Sequence, residues 1–206
     1  MADLSVGQRV LTVHDDGTLR YDDIVAFVHR QPRLMTSFVA VATADGHRLV
    51  ATGDHLVFTS ASGGDQSAAA SFSDAATATT FMSRLANHSV AVYVTRPGSN
   101  FEKHLSVSMV TSVNKVAGRG VYAPLTSSGT IVVDGVVASC YAVVASHRLA
   151  HAVMAPLRTL SSWNSYYDGT CVSPPPLDGV HWYAQFVRRL AESLFPADSL
   201  LWNFAR

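Results

Sequence analysis

The sequence predicts a chain that is mostly β-structure over its first 140 residues and mainly α-helical after them. In the first part, short apolar runs alternate with polar residues and are separated by turns rich in Gly and Asp, as in antiparallel strands. In the second part, apolar residues recur at intervals of three and four, as on one face of a helix. With 48% hydrophobic and 15% charged residues, the 206-residue chain can bury a substantial core.

Strands are predicted in order along the first sixty residues. The alternating runs are Leu4–Thr12, Leu19–Val28, Ser37–Ala44 and Arg48–Thr59. Asp45-Gly46 stands between the last two runs and favours a tight turn, so these two are expected to form a hairpin.

The middle of the chain continues this pattern after a long interruption. Ser60–Thr80 is dominated by small and polar residues without a hydrophobic period, which predicts a surface loop. Strands are expected again at Ser89–Thr95 and His104–Val116, followed by a turn at Gly118-Arg119-Gly120. A valine-rich run then leads to Ser-Cys-Tyr at 139–141.

One coarse internal repetition is visible. The turn, paired strands and polar tip of residues 37–59 resemble in outline residues 107–141. A single repetition of this kind predicts two related β subdomains, because a solenoid would need many short repeats.

The C-terminal part has two helix-like segments. Tyr141–Trp163 is Ala-rich with helical spacing, and Pro156 is expected to end or kink it. A Pro-rich linker follows at Val172–Gly179, and Pro196 is expected to stop the second helix. The apolar stripe of that helix consists of Tyr183, Phe186, Val187, Leu190 and Leu194.

Bulk properties exclude several classes of protein. The net charge is zero with His neutral, so nothing suggests a nucleic-acid surface. Two cysteines, Cys140 and Cys171, are too few for a disulfide framework and match no zinc spacing. No apolar run reaches the roughly 18 residues that span a membrane, and the residues after Met1 do not form a signal peptide.

Three sequence blocks together resemble the autoprocessing (Hint) domains of Hedgehog precursors. They are a strand that ends in Thr-x-x-His (Leu49–Phe58), the turn and β-rich run Gly120–Ala142, and Asp178–Ala184. The resemblance covers nearly the whole chain. It implies an all-β Hint (Hedgehog/intein) fold of two pseudo-symmetric β subdomains over residues 1–150, without its first strand and nucleophile. Residues 151–206 would be a mainly α-helical sterol-recognition region.

Thr52 and His55 are the first candidate catalytic residues. A Thr hydroxyl or its backbone amide can hold a carbonyl oxygen while an imidazolium protonates the departing nitrogen. Thr-x-x-His alone is a weak pattern and also fits a structural His, whereas the resemblance implies catalysis. From the residues alone, Cys140 in its valine-rich strand is interpreted as a small buried apolar side chain. The resemblance places it near the active centre but not as the attacking thiol.

His29 occupies the position at which Hedgehog proteins usually carry an aspartate that takes the proton from the incoming alcohol. A neutral imidazole can serve as a general base near pH 7. The residues alone are equally compatible with a solvent-exposed loop His. The sequence alone does not distinguish a general base from an exposed histidine at this position.

The resemblance also implies what the reaction needs. Family members begin with Cys-Phe, and that Cys attacks the preceding carbonyl, whereas this chain starts at Met1 in the family's next segment. We therefore expect a fragment that is inactive alone, although a diverged pseudoenzyme is an alternative. In the intact precursor, a thioester would form and the N-terminal signalling domain would be transferred to cholesterol.

The resemblance implies no metal or redox cofactor. The expected partners are that signalling domain in cis, cholesterol, and a membrane surface that the C-terminal region contacts. The family context implies the endoplasmic reticulum, followed by secretion or membrane association.

Three other functions compete with this interpretation. An intein would end in His-Asn before Cys, Ser or Thr, and this chain ends Trp202-Asn203-Phe204-Ala205-Arg206. A Hint domain that only hydrolyses its thioester would need no lipid-binding tail. A non-enzymatic secreted sterol- or partner-binding module would explain the apolar stripe but not Thr52 and His55. An upstream Gly-Cys-Phe would favour the enzyme.

Overall fold

Ten strands of the described chain form one curled antiparallel sheet, and in the sequence one helix precedes the last strand and one follows it. The computed structural model describes residues 1–60, 72–73, 77–85, 90–97, 103–142, 144, 146–160 and 179–194, with the last four of these as backbone only. The strands are β1 (Arg9–Val13), β2 (Leu19–Thr43), β3 (Arg48–Thr52), β4 (His55–Ser60), β5 (Thr79–Phe81), β6 (Ala91–Pro97), β7 (Lys103–Thr126), β8 (Thr130–Val133), β9 (Val136–Ala142) and β10 (Gly179–Val180). The helices are α1 (His147–Val153) and α2 (Trp182–Leu194), and a 3-10 turn spans Met82–Arg84.

Two very long strands organise the sheet. β2 has 25 residues and β7 has 24, and they pair with each other along most of their length. The sheet order is β1-β2-β7-β6-β4-β9-β8, with β3 and β10 also on β2 and β5 on β4. Each long strand is followed in the sequence by shorter strands. After β2 come β3 and β4 in one half, and after β7 come β8 and β9 in the other. The predicted fold class is confirmed.

The first and last strands of this order, β1 and β8, contact each other, and this contact curls the sheet. The amide of Val13 in β1 donates to Thr130 Oγ1 in β8 (3.0 Å), and the same hydroxyl donates to the carbonyl of Val13 (2.7 Å). Both residues are fully buried. A fully hydrogen-bonded hydroxyl can lie in the core without a desolvation penalty, so Thr130 joins the two edges from inside.

Two Asp-Gly pairs make tight turns, and the sequence predicted the one at Asp45-Gly46. Asp45 and Gly46 join β2 to β3, and Gly46 has φ of 84°. Asp134 and Gly135 join β8 to β9 in a two-residue turn with positive φ at both positions (49° and 85°). Positive φ at both central residues is the geometry of a type I′ hairpin turn, whose twist matches that of the strands.

The predicted turn at Gly118-Arg119-Gly120 was wrong. These residues lie inside β7, which continues to Thr126 because β2 pairs with it on both sides of the segment. The register shifts here, since Gln31 pairs with Val121 and Met35 with Arg119, so β2 bulges. Gly120 has φ of 90°, and a Cβ on Gly118 would lie 2.9 Å from the Phe38 ring. Gly120 therefore permits the backbone conformation at the bulge, and Gly118 permits the close contact with Phe38.

Other predicted strand boundaries also change. The first strand begins at Arg9, and the two runs predicted as Leu19–Val28 and Ser37–Ala44 are one continuous strand. The predicted run Arg48–Thr59 is divided by a turn at Gly53-Asp54. Of the predicted loop Ser60–Thr80, the end belongs to β5, and most of the rest lies outside the described residues.

The C-terminal segment packs onto the sheet. Tyr141 and Ala142 belong to β9, so the helix predicted from Tyr141 begins at His147, after an N-cap by Ser146. A turn at Met154 separates α1 from a helical stretch at 155–160, which agrees with a kink at Pro156. The boundary proposed between residues 150 and 151 therefore falls inside α1, and the core includes Leu157. Cys171, nearly all of the Pro-rich linker and Pro196 lie outside the described residues.

None of the helices in the described part of the chain is long and apolar enough to cross a membrane.

Candidate active site

A cavity of about 800 Å³ opens between the two halves of the sheet and α2. Its wall is mostly aliphatic and aromatic, with contributions from β2, β3, β7, β8 and β9. Five of the residues proposed from the sequence line it: His29, Thr52, His55 and Cys140, together with Val187 of the apolar stripe. Residues from distant parts of the sequence therefore share one space.

Thr52 and His55 flank a tight connection between two strands. Thr52 ends β3 and pairs with Phe38, whereas His55 begins β4 and pairs with Ala142 of β9. The amide of Ser83, in the 3-10 turn, donates to the carbonyl of Gly53 (2.9 Å) and supports the connection. Both candidate side chains are half-buried and face the same cavity.

The His55 ring is neutral in the resting protein. Burial lowers its pKa from the usual 6.5 to about 4, and a hydrogen bond to the backbone of Ser139 opposes this shift. The imidazolium considered in the sequence argument is therefore not the resting form. A neutral ring can first accept a proton and then, as a strong acid, release it.

Cys140 lies in the cavity wall with 2% of its surface exposed. Burial raises the pKa of its thiol to about 11, although a contact with Thr126 Oγ1 (3.5 Å) acts in the opposite direction. The thiol is thus protonated at neutral pH, and a protonated buried thiol is a poor nucleophile. This agrees with the expectation that Cys140 does not attack, but its role stays a prediction.

His29 lies inside β2 rather than in a loop. It is half-buried, pairs with Ala123 of β7 on one side and with Val180 of β10 on the other, and lines the cavity. Its Nε2 is 3.1 Å from Gln31 Oε1. The short strand β10 leads directly into α2, because His181 follows Val180 and caps the helix through its Nδ1. The C-terminal region is therefore attached to the sheet beside His29.

The apolar stripe of α2 divides between two faces. Val187 lines the cavity, and Tyr183 packs on the core and donates from its hydroxyl to the carbonyl of Val153 (2.9 Å). Phe186 and Leu190 point outward, with 56% and 47% of their surface exposed. These four residues therefore point in two directions, towards the sheet and towards solvent, and their role in binding stays a prediction. The side chain of Leu194 lies outside the described residues.

A buried polar cluster beside the cavity was missed from the sequence. Ser139 Oγ lies 2.8 Å from Nδ1 of His147, and Tyr141 Oη lies 2.9 Å from Nδ1 of His151. Arg158 donates to the Tyr141 hydroxyl (2.9 Å). The spacing of the two histidines, four residues apart in a helical pattern, was the available signal, since it places both rings on one face.

This cluster gives the protein a predicted sensitivity to acid. Burial lowers the pKa of His147 to about 3 and that of His151 to about 4. Below pH 6.5 the unfolded chain binds protons that the folded chain does not, so stability falls as the pH decreases towards 4. His147 alone contributes about 1.4 kcal/mol per pH unit in this window.

Thermal melting between pH 7.5 and pH 4.5 measures this effect. The melting temperature should fall steadily below pH 6.5, and His147→Leu should make the slope shallower. Equal slopes for the two proteins would contradict the assignment of His147 as a buried neutral group.

Comparison with known proteins identifies the class. A family model described as "Hint module" matches residues 1–196. The chain belongs to the Hint module family, which confirms the resemblance drawn from the three sequence blocks.

Within this family, the chain is similar to parts of hedgehog proteins. Indian hedgehog protein of Gallus gallus is 37% identical over 198 residues, which is 95% of this chain and 44% of that protein. Protein hedgehog of Drosophila melanogaster is 32% identical over 206 residues, with coverages of 95% and 41%. The chain thus spans less than half the length of these relatives. A solved DnaB intein from Synechocystis sp. PCC 6803 aligns with a TM-score of 0.46 at 9% identity, over 66% of this chain and 79% of the intein chain.

Proposed function

We propose that this chain is the autoprocessing domain of a hedgehog-type precursor, which cleaves itself through an internal thioester and transfers the upstream fragment to cholesterol. Membership of the Hint module family and the hedgehog relatives support an autoprocessing domain. The observation that carries the finer proposal is the shared cavity, in which Thr52 and His55 face His29 and an apolar wall that includes α2.

In the first step, a Cys that follows the scissile bond attacks the carbonyl carbon before it. The new S–C bond replaces the C–N bond and gives a thioester and a free amine. Neutral His55 accepts the proton of the thiol and delivers it to the departing nitrogen. Burial lowers the pKa of this ring to about 4, so once protonated it releases the proton readily to the amine. Thr52 stabilises the carbonyl oxygen.

In the second step, the sterol hydroxyl attacks the thioester carbon. An O–C bond forms, the S–C bond breaks, and the thiol is restored. His29 accepts the hydroxyl proton as general base. Its place in the sheet supports this role, since Val180 pairs with it and α2 begins two residues later. A mostly apolar cavity of about 800 Å³ is within the range of small-molecule sites.

The exposed face of α2 supports contact with a membrane surface. Phe186 and Leu190 stand in line with Trp182, which has 65% of its surface exposed, and Arg189 follows Phe186 by three positions on the same side of the helix. An amphipathic helix with exposed aromatic residues and a neighbouring basic residue can lie in the headgroup region of a bilayer. The sterol would then enter the cavity from that surface.

The remaining parts of the proposal follow from the reaction. The proposed acyl transfer changes no oxidation state, so we propose that it uses no redox cofactor and no metal, and the zero net charge gives no indication of a nucleic-acid partner. The partner in cis is the N-terminal signalling fragment. Cholesterol transfer places the reaction in the endoplasmic reticulum, before secretion or membrane association of the product.

A non-enzymatic sterol-binding module is the second candidate, because an apolar cavity beside an amphipathic helix would serve it equally well. A restored precursor distinguishes the two. It carries a reporter and a hedgehog-type segment with a Gly-Cys-Phe junction before residue 1. The enzyme releases the reporter with dithiothreitol and forms a reporter–cholesterol ester with cholesterol. Sterol binding without either product would favour the module.

Variants of His29 in the restored precursor test the second step. His29→Ala should block sterol transfer and let the thioester accumulate, because the hydroxyl loses its base. His29→Asp should retain transfer and extend it to lower pH, since a carboxylate stays deprotonated at lower pH than an imidazole. The cholesterol ester and the thioester are measured in parallel across pH. If His29→Ala changes neither product, His29 is not the base.

A further inference from the structure

Strand β9 departs from regular pairing next to His55. His55 of β4 pairs with Ala142, whereas Val57 pairs with Ala138. Two steps along β4 therefore correspond to four along β9, and the extra residues form a bulge at Ser139, Cys140 and Tyr141. Bulges redirect backbone groups and side chains, and here the redirected segment adjoins the cavity.

The bulge has a polar support from helix α1. Ser139 Oγ accepts a hydrogen bond from the amide of Tyr141 (3.0 Å) and lies 2.8 Å from Nδ1 of His147. Ser139 is fully buried and His147 is 2% exposed. The donor in the Oγ–Nδ1 contact depends on the tautomer of His147, and in either tautomer Ser139 Oγ can still accept from the amide of Tyr141.

The same serine also touches the candidate catalytic histidine. The backbone of Ser139 hydrogen-bonds the ring of His55, and the backbone acceptor is its carbonyl oxygen. One residue thus connects the two imidazoles: its side chain is held by His147, and its carbonyl orients His55. A hydrogen bond to a backbone carbonyl fixes which ring nitrogen carries the proton and leaves the other to react.

Space-filling alone does not account for His147. Its ring lies between the rings of Phe58 and Tyr141, with centroids 4.9 Å and 5.3 Å away. An apolar side chain would fill such a place without the cost of burying an imidazole, which is recovered only through hydrogen bonds. The contact between Nδ1 and Ser139 Oγ (2.8 Å) offsets part of this cost.

We infer that His147 is a positioning residue for His55, which acts through Ser139 and the bulge of β9 to hold the His55 ring in one orientation and one tautomer. It does not touch the substrate. The inference rests on the proposed function for its kinetic consequence, but the orientation of His55 can be measured without any reaction.

Two variants of His147 separate the polar contact from packing. His147→Leu fills the site and removes the polar group that contacts Ser139. His147→Asn keeps one, because its amide oxygen and nitrogen are as far along the side chain as Nδ1 of His and can accept from or donate to Ser139 Oγ. Val107→Ala, a buried core position on β7, is the matched control for a loss of stability.

The first measurement uses ¹⁵N NMR of the His55 ring in the 206-residue chain. We expect one tautomer in the unchanged protein, a mixture of tautomers in His147→Leu, and one tautomer again in His147→Asn. Val107→Ala should leave the His55 signals unchanged. A single unaltered tautomer in folded His147→Leu would overturn the inference.

The second measurement is the rate of dithiothreitol cleavage in the restored precursor. His147→Leu should slow it by about 10- to 100-fold, since a displaced catalytic group costs up to about 100-fold. His147→Asn should recover most of the rate. In a His55→Ala background, His147→Leu should add little, because both changes remove the same contribution.

Other results contradict the inference. An equal slowing by His147→Leu in both backgrounds, or by Val107→Ala at the same melting temperature, would show a general loss of structure. If the unchanged precursor does not cleave at all, the proposed function fails, and the NMR result still decides the role of His147.

Discussion

His55→Ala in the restored precursor is expected to slow dithiothreitol-driven cleavage by roughly 100- to 10,000-fold, the usual contribution of a positioned acid or base. The departing group is an amine, which leaves only with a proton. His55 is the titratable side chain at the start of β4 that faces the cavity beside Thr52. No other change in the molecule is expected to affect the first step as strongly.

The measurement is the single-turnover release of the reporter, followed on gels with and without dithiothreitol. Thr52→Ala should reduce the rate less, because a backbone amide can still hold the carbonyl oxygen. A reporter fused directly to Met1, without the junction, should not be released, since Cys140 is buried and its raised pKa keeps it protonated. If His55→Ala cleaved normally with thiol and lost only sterol transfer, the role given to His55 would be wrong.

Removal of the residues after Leu160 should abolish cholesterol transfer and leave thiol-driven cleavage. The deletion takes away β10 and α2, and with them Val180, Ala184 and Val187 from the cavity wall. A cut after Ala150 would be less informative. It would divide α1 and remove Leu157 from the core and Arg158 from Tyr141.

Two point variants of α2 serve as a matched pair for this deletion. Val187→Asp places a charge in the cavity wall, whereas Phe186→Asp places one on the exposed face. The first should lose ester formation with soluble sterol, and the second should lose only binding to lipid vesicles. Retained cholesterol transfer in the deletion would exclude the C-terminal region as the sterol site.

The sequence was informative where local chemistry decides the structure. Alternating residues and the Asp45-Gly46 pair predicted a hairpin, and the Thr-x-x-His pattern led to the cavity. Gly118 and Gly120 misled, because a glycine that permits a turn also permits a bulge, and only the partner strand β2 determines which one forms.

Part of the candidate site could not be predicted from the sequence, because it depends on the pairing of strands that are distant in the sequence. The bulge in β9 and the contact between Ser139 and His147 depend on which strand lies opposite, and a single sequence does not encode that locally. For α2, periodicity identified its apolar residues. It did not indicate that Val187 faces the cavity while Phe186 faces outward, since that depends on the position of the sheet.

The closure of the sheet by Thr130 has a consequence for the timing of activity during synthesis. Its hydroxyl bonds to Val13 across 117 positions of sequence, and the backbone partner of His55 is Ser139. Contacts so distant in sequence form slowly and only when both strands are available. Thr52 and His55 leave the ribosome early, but the cavity that they line is complete only when β8 and β9 follow. Under the proposed function, most of the domain must therefore be translated before self-cleavage can begin, and the upstream fragment stays attached until then.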